Sequence, residues 1–172
     1  SVLLATRGGM AIRFPEGDVR PMGRQAYGVK GIELEPGDQV VALEVLSQGT
    51  VLTVTENGYG KRTELEEYRE QSRGGKGIIN IKTEGRNGAV IGVKFISGDE
   101  GVMLITGKGM IIRTRSTEIS TMGRNTQGVR LIQTDDGDQL VSIARLAEKD
   151  ESTDTTDTAE GEAPTETPGS ES

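Results

Sequence analysis

Cysteine, histidine and tryptophan are absent from this chain, and aromatic residues make up only 3% of its 172 residues. Without cysteine or histidine it can form no disulfide, no thiolate or imidazole metal site, and no nucleophile based on cysteine or on a Ser–His pair. The lack of cysteine fits a reducing cytoplasm. Because aromatic side chains are so few, any hydrophobic core has to be built from valine, isoleucine, leucine and methionine.

Long hydrophobic runs are also missing. No apolar run approaches the ~18 residues that a membrane-spanning helix needs, so the sequence predicts no membrane span. The chain begins at Ser1 inside a strand-like segment, without an initiating methionine or a signal peptide. We therefore expect it to be part of a longer protein.

The net charge of −7 is concentrated at one end of the chain. Residues 147–172 contain nine acidic residues and one basic residue, whereas residues 1–146 carry a net charge of +1. The terminal segment is rich in threonine, serine, glutamate and aspartate and has no apolar periodicity. Such a segment buries too little apolar surface to offset its loss of chain entropy, so the sequence predicts a disordered acidic tail over residues 147–172.

Three segments of the remaining chain repeat one another. They are LLATRGGMAIRF from Leu3, LTVTENGYGKRT from Leu52 and MLITGKGMIIRT from Met103, spaced by 49 and 51 residues. Each holds two apolar runs around a glycine-containing turn, of which Asn57-Gly58 is the strongest hairpin signal. The positions that coincide in all three are Thr6, Thr55 and Thr106; Gly9, Gly58 and Gly109; and Arg13, Arg62 and Arg113.

A second set of segments repeats with the same spacing. MGRQAYGVKGIEL, QSRGGKGIINIKT and MGRNTQGVRLIQT align on Gly28, Gly77 and Gly128, and each is followed by a short turn and another apolar run. Four strand-like runs in a unit of about 50 residues are typical of a propeller blade. The sequence thus predicts an all-β fold of three four-stranded antiparallel blades, over residues 1–47, 48–97 and 98–146.

The heptapeptide QSRGGKG, residues 71–77, is one version of a loop present in every unit, and its third position is always arginine: Arg24, Arg73 or Arg124. One interpretation is that these arginines cap backbone carbonyls or pair with acids such as Asp38 and Asp138. The other is that equivalent basic loops line one rim and follow a polyanion. Repetition of the charge at equivalent positions favours polyanion binding.

The chemistry of the heptapeptide suits a phosphate backbone. Its glycines allow the main chain and its N–H groups to approach a phosphate closely. Arg73 can donate two bonds to phosphate oxygens and Lys76 adds a point charge. Neither reads base sequence, so binding should be driven by the backbone and by deformability. Supporting contacts are predicted at Lys30, Lys61, Arg62, Arg113, Arg115 and Arg130.

Several longer segments resemble a known family. ENGYGKRT, RNGAVIGVKF, RTRSTEIS and GRNTQGVRLI, followed by an acidic tail, are similar in their order to the C-terminal half of the C-terminal domain of the DNA gyrase A protein, part of a bacterial type IIA topoisomerase. The resemblance covers residues 1–146. It implies a β-pinwheel, a propeller-like disc that wraps duplex DNA around its rim, of which three blades would be half.

The resemblance also implies a setting for the chain. The whole enzyme would supercoil DNA negatively with ATP and Mg²⁺, in a cytoplasmic heterotetramer of the gyrase A and gyrase B proteins, whereas this chain would hold no active site and no cofactor. The family's gyrase-A box, Gln-Arg-Arg-Gly-Gly-Lys-Gly, is matched by the heptapeptide except at Ser72. The DNA-binding residues implied are Gln71, Arg73, Gly74, Gly75, Lys76 and Gly77, with Arg24, Lys30, Arg124 and Arg130 on the related loops. Because the family's main box lies in the first blade, we expect this heptapeptide to be the auxiliary loop of a late blade.

Other functions are less well supported by the residues. Tyr27, Tyr59 and Tyr68 do not match the family's catalytic pattern, and GGKG lacks the spacing of a nucleotide-hydrolase phosphate loop. A protein-interaction propeller would need exposed aromatic or aliphatic hot spots, which the 3% aromatic content argues against. The related protein of topoisomerase IV shares the blade but lacks a good box, so the heptapeptide and the tail favour gyrase.

Overall fold

The structure is a computed structural model that describes residues 1–146, and the predicted disordered tail lies outside the described residues. The described part consists of antiparallel strands and short 3₁₀ turns, which confirms the all-β prediction. The strands are β1 (Val2–Thr6), β2 (Met10–Phe14), β3 (Val40–Val45), β4 (Thr50–Thr55), β5 (Tyr59–Glu64), β6 (Ile78–Ile79), β7 (Val90–Ile96), β8 (Gly101–Thr106), β9 (Ile111–Arg115), β10 (Val129–Arg130) and β11 (Leu140–Leu146). The 3₁₀ turns are Glu16–Asp18, Leu65–Glu67 and Ser116–Glu118. None of the helical turns in residues 1–146 is long and apolar enough to cross a membrane.

The repeated threonine and glycine positions close one hairpin turn in each repeat. In the first, the Gly9 N–H donates to the Thr6 carbonyl at 3.1 Å, and the Thr6 hydroxyl accepts from the Met10 N–H at 3.1 Å. Gly9, Gly58 and Gly109 have φ angles of 86°, 83° and 91°, the left-handed region that favours glycine. The hairpins β1–β2, β4–β5 and β8–β9 follow from this local chemistry.

The three sheets exchange strands between repeats. The first has the order β3-β1-β2-β6 and the second β10-β5-β4-β7, so the fourth strand of each is supplied by the repeat that follows it. The third sheet, β11-β8-β9, has three strands within the described residues. The four strands of a sheet therefore do not all come from one of the predicted units, because the short glycine-containing segments of the second and third units cross to the preceding hairpin.

The hydrophobic core lies between consecutive sheets rather than within each one. Val51 of β4 packs with Leu3 and Ala5 of the first sheet, whereas Leu52 and Val54 pack with strands of the third. All six residues of β4 are buried because the middle sheet is covered on both faces. Successive strand residues point to opposite faces, so one strand contributes to both cores.

The repeated arginine of the first two hairpins ties one repeat to the next. The Arg13 Nη1 donates to the carbonyls of Leu65 and Tyr68, each at 3.3 Å, and the Arg62 Nε donates to the carbonyl of Ile119 at 2.9 Å. In both cases the carbonyls belong to the 3₁₀ turn of the following repeat or its flank. These arginines thus donate to carbonyls at the ends of 3₁₀ turns, which the hydrogen bonds of so short a turn leave unpaired.

Candidate nucleic-acid interface

The predicted box loop, residues 71–77, is held against the first repeat by backbone hydrogen bonds. The Gln71 N–H donates to the Arg13 carbonyl at 2.8 Å and the Gly74 N–H to the Gly31 carbonyl at 2.6 Å. The Gly75 carbonyl accepts from the Glu33 N–H at 2.8 Å. These groups face the neighbouring repeat, so much of the main chain of the loop is already paired.

The glycines of the box allow this close packing of chains. Gly77 has a φ of 74°, and a Cβ there would lie 2.3 Å from the Ala11 carbonyl oxygen. The equivalent Gly128 has a φ of 76° and would place a Cβ 2.5 Å from the Gly60 oxygen. Glycine is therefore required at this position by the adjoining strand. The sequence suggested instead that the glycines admit a phosphate.

The arginine of the loop caps carbonyls of the preceding repeat. The Arg73 Nε donates to the Asp18 carbonyl at 2.9 Å and its Nη1 to the Lys30 carbonyl at 3.0 Å. The Nη1 of Arg124 donates to the carbonyl of Ile79 at 2.6 Å, and Ile79 is the repeat equivalent of Lys30. Carbonyl capping is thus the role that the geometry shows for these two arginines. The remaining N–H groups of each guanidinium can still donate to an anion.

The alternative pairing of these arginines with aspartates is not what the structure shows. Asp38 Oδ1 accepts from the N–H groups of Gly8 and Gln39, at 2.7 and 2.8 Å. Asp138 Oδ1 likewise accepts from the Lys108 and Gln139 N–H groups. Each aspartate binds the hairpin turn of its own repeat, so neither is the partner of a loop arginine.

Three of the predicted basic residues present their charge to solvent. Lys76 pairs with Glu35 at 3.5 Å, with both side chains about two-thirds exposed (68% and 67%), and Lys30 pairs with Glu33 at 3.8 Å. Such exposed pairs are worth little, so a phosphate can compete for either lysine. Arg24 is exposed and has no hydrogen bond or ion pair within residues 1–146. Gln71 is half-buried, and its side-chain Nε2 has no partner in the same range.

Lys61, predicted from the sequence to support DNA contacts, lies inside the molecule. It is fully buried, and its Nζ donates to the carbonyls of Gly123 and Arg124 and to the Thr126 hydroxyl. Burial lowers the pKa of Lys61 from 10.5 to about 8; the charge of Glu67 opposes this shift and that of Arg124 adds to it. Lys61 therefore cannot reach a ligand at the surface. It anchors the loop that carries Arg124.

The remaining residues predicted to support DNA contacts also differ in whether a protein group already binds them. Arg62 is half-buried and is occupied by the Ile119 carbonyl. Arg115 lies 2.6 Å from Asp99, whereas Arg113 is an exposed residue of β9. Within the described part of the chain, no group of three or more acidic side chains is placed to hold a metal ion.

Arg130 lies beside a basic residue that the sequence analysis missed. Its guanidinium donates to the Tyr59 hydroxyl at 2.8 Å, and the guanidinium carbon of Arg86 lies 4.7 Å from the centre of the same ring. Arg86 stands where the other two repeats have Gly37 and Gly137. An arginine where the other repeats have glycine is the feature of the sequence from which Arg86 could have been found.

The two basic residues of the box are expected to respond differently to alanine. Arg73→Ala should lower the free energy of unfolding by about 1–2 kcal/mol, because the Asp18 and Lys30 carbonyls lose a charged donor. Lys76→Ala, which removes only an exposed ion pair, should change it by less than about 0.5 kcal/mol. Urea unfolding of both variants checks this. Equal losses would contradict the capping role of Arg73.

Comparisons with known proteins are consistent with this geometry. The family model "DNA gyrase C-terminal domain, beta-propeller" matches residues 1–47, 49–97 and 102–147. The DNA gyrase A protein of Haloquadratum walsbyi is 48% identical over 156 residues, 89% of this chain, and that of Escherichia coli is 46% identical over 163 residues, 94% of this chain. The chain spans 18% of the length of each of these relatives.

Solved structures show the same fold. The structure of a DNA gyrase A C-terminal domain superposes with a TM-score of 0.79 and 30% identity, over 85% of this chain and 50% of that one. The C-terminal domain of DNA topoisomerase IV gives a TM-score of 0.79 at 22% identity, over 84% and 46% of the two chains, a likeness of fold alone. Because the family model covers all three repeats and the relatives are nearly half identical over most of its length, the chain belongs to the DNA gyrase C-terminal domain family.

Proposed function

We propose that this chain is a DNA-binding and DNA-wrapping part of a gyrase A protein, and that it supports negative supercoiling of duplex DNA by the whole enzyme. The observation that carries the proposal is the recurrence of exposed basic side chains on equivalent segments of consecutive repeats. They are Arg24 and Lys30 in the first repeat, Lys76 in the second and Arg130 in the third. Recurring cations of this kind suit the phosphate backbone of a duplex that passes from one sheet to the next.

The heptapeptide contributes to this function in two ways. Lys76 supplies a mobile charge for a phosphate, and Arg73 holds the loop to the first repeat while offering its remaining N–H groups. Gln71, Gly74, Gly75 and Gly77 shape the loop rather than supply charge. Arg124 has the role of Arg73 in the third repeat. These groups suit phosphate oxygens and are not expected to read base sequence. Wrapping would therefore depend on phosphate charge and on DNA deformability.

The test is the salt dependence of DNA binding, measured by anisotropy on the full-length gyrase A protein with duplexes of several sequences. If about five phosphates are neutralised by this part, it should contribute about −4 to −5 to the slope of log K against log[salt]. Affinity should differ little between the sequences. A flat salt response would contradict DNA wrapping by this chain.

The remainder of the proposal concerns the whole enzyme. ATP and Mg²⁺ would be bound by other parts of a cytoplasmic heterotetramer of the gyrase A and gyrase B proteins, and this chain would supply only contacts to the wrapped DNA segment. Membership of topoisomerase IV is the alternative with the same fold. Reconstituted enzyme distinguishes the two, because gyrase introduces negative supercoils into relaxed plasmid whereas the alternative predicts relaxation alone.

A further inference from the structure

Two arginines and a tyrosine form a cluster in the second sheet. The ring of Tyr59 has the guanidinium carbon of Arg86 at 4.7 Å from its centre and that of Arg130 at 5.4 Å. Arg130 donates from Nε and Nη2 to the Tyr59 hydroxyl, at 3.3 and 2.8 Å, and Arg86 donates from Nη2 to the Gly128 carbonyl at 3.1 Å. Tyr59 is 8% exposed, whereas both arginines are exposed. A buried ring thus orients two guanidiniums at the surface.

The first sheet shows that packing alone does not require these charges. Tyr59 pairs with Arg130 across β5 and β10, and the equivalent pair across β2 and β6 is Met10 with Ile79. The equivalent of Arg86 there is Gly37. An apolar pair and a glycine therefore complete the same strand pairing. The second sheet has two additional cations and the ring that holds them.

The charges of the cluster are not neutralised by the protein. Several other cations of residues 1–146 have a carboxylate nearby, as Arg7 has Glu56 at 3.4 Å and Lys94 has Glu44 at 3.0 Å. Neither Arg86 nor Arg130 forms an ion pair within that range. Two like charges held on one ring repel each other, and an anion between them would offset the repulsion. Each guanidinium has five N–H groups and uses only one or two here, so donors remain for such an anion.

We propose that Arg86 and Arg130, oriented by Tyr59, form a phosphate-binding site for duplex DNA at the junction of the second and third repeats. The inference rests on the proposed DNA-binding function and assigns to it a site outside the box heptapeptide. Planar guanidinium forks of this kind bind phosphate oxygens in pairs. Tyr59 acts as a positioning residue that lowers the entropy lost when the two arginines are fixed.

The experiment measures duplex binding against salt in the full-length gyrase A protein, for the wild type and three variants. Arg86→Gln with Arg130→Gln should lower the magnitude of the log–log slope by about two and weaken binding about 10- to 100-fold at low salt. R86K/R130K keeps the charges but loses the fork and should retain the slope. R7Q/K94Q removes the same net charge from two cations whose carboxylate partners, Glu56 and Glu44, are largely buried, and its slope should match that of the wild type.

A fourth variant distinguishes the effect of losing the two charges from the effect of a damaged fold. Tyr59→Met, Arg130→Ile and Arg86→Gly together install the residues of the first sheet, so the fold should be kept while the slope falls by the same two units. A wild-type slope in R86Q/R130Q, or an equal loss in R7Q/K94Q, would overturn the site while DNA binding by the wild type stands. Loss of the slope in the wild type itself would instead overturn the proposed function.

Discussion

Gly77→Ala is expected to destabilise the chain by about 3 kcal/mol or more, a large effect for a single methyl group. The added Cβ would lie 2.3 Å from the Ala11 carbonyl oxygen, and the φ of 74° is unfavourable for any side chain with a Cβ. Relief of the clash would move β6 away from β2 and open the junction between the first two repeats. The free energy of urea unfolding measures the loss.

Gly28→Ala is the matched control, because Gly28 occupies the same position of the first repeat. Its φ is 80°, but a Cβ there would have nothing within 4 Å. The Gly28→Ala variant therefore has only the strain of a left-handed backbone to bear, and we expect its free energy of unfolding to fall by about 1 kcal/mol. Gly128→Ala, with a backbone oxygen at 2.5 Å, should behave like Gly77→Ala. Equal losses at Gly28 and Gly77 would show that conformation alone, and not the adjoining strand, selects glycine.

Lys61→Met is expected to cost about 3 kcal/mol, since three half-buried acceptors lose a charged donor. The carbonyls of Gly123 and Arg124 and the Thr126 hydroxyl all belong to the loop that carries the third repeat's arginine. Lys82→Met, at an exposed position, should change the unfolding free energy by less than about 0.5 kcal/mol. A stable Lys61→Met variant would show that the loop is held by other contacts.

The same lysine gives stability a dependence on pH. Its pKa is about 8 in the folded chain against 10.5 for the ordinary group, so between these values the unfolded chain binds more protons than the folded one. Stability therefore rises with pH from about 8 to 10.5, as the buried ammonium loses its proton. The difference in stability between the wild type and Lys61→Met isolates this contribution. A difference that stays constant over the window would contradict the lowered pKa.

The hairpins could be predicted from the sequence because their determinants are local. Thr6, Gly9 and Met10 close a turn within five residues, and the hydrogen bond from the glycine N–H to the threonine carbonyl recurs in the other two repeats. Alternating apolar residues then place one face of each strand in a core. The family could also be recognised, because several segments that resemble it occur together and in the same order.

Contacts between repeats could not be predicted in this way. Arg73 and Lys61 are both basic residues in strand–loop units, yet one caps carbonyls of the preceding repeat and the other is buried. Their partners, such as Lys30 for Arg73 and Thr126 for Lys61, lie 43 and 65 residues away in the chain. No local pattern distinguishes the two.

The sequence by itself determined the hairpins, the turns, the repeat and the family, since each depends on residues within a few positions or on similarity along the chain. Only the tertiary structure decided which basic side chains are occupied by protein groups and which are left exposed. That choice depends on how consecutive sheets pack and exchange strands, because packing buries Lys61, occupies Arg73 and Arg124, and leaves Arg86 and Arg130 side by side on Tyr59. Burial and hydrogen bonding fix the free energy of each charge, and neither can be read from residue type alone.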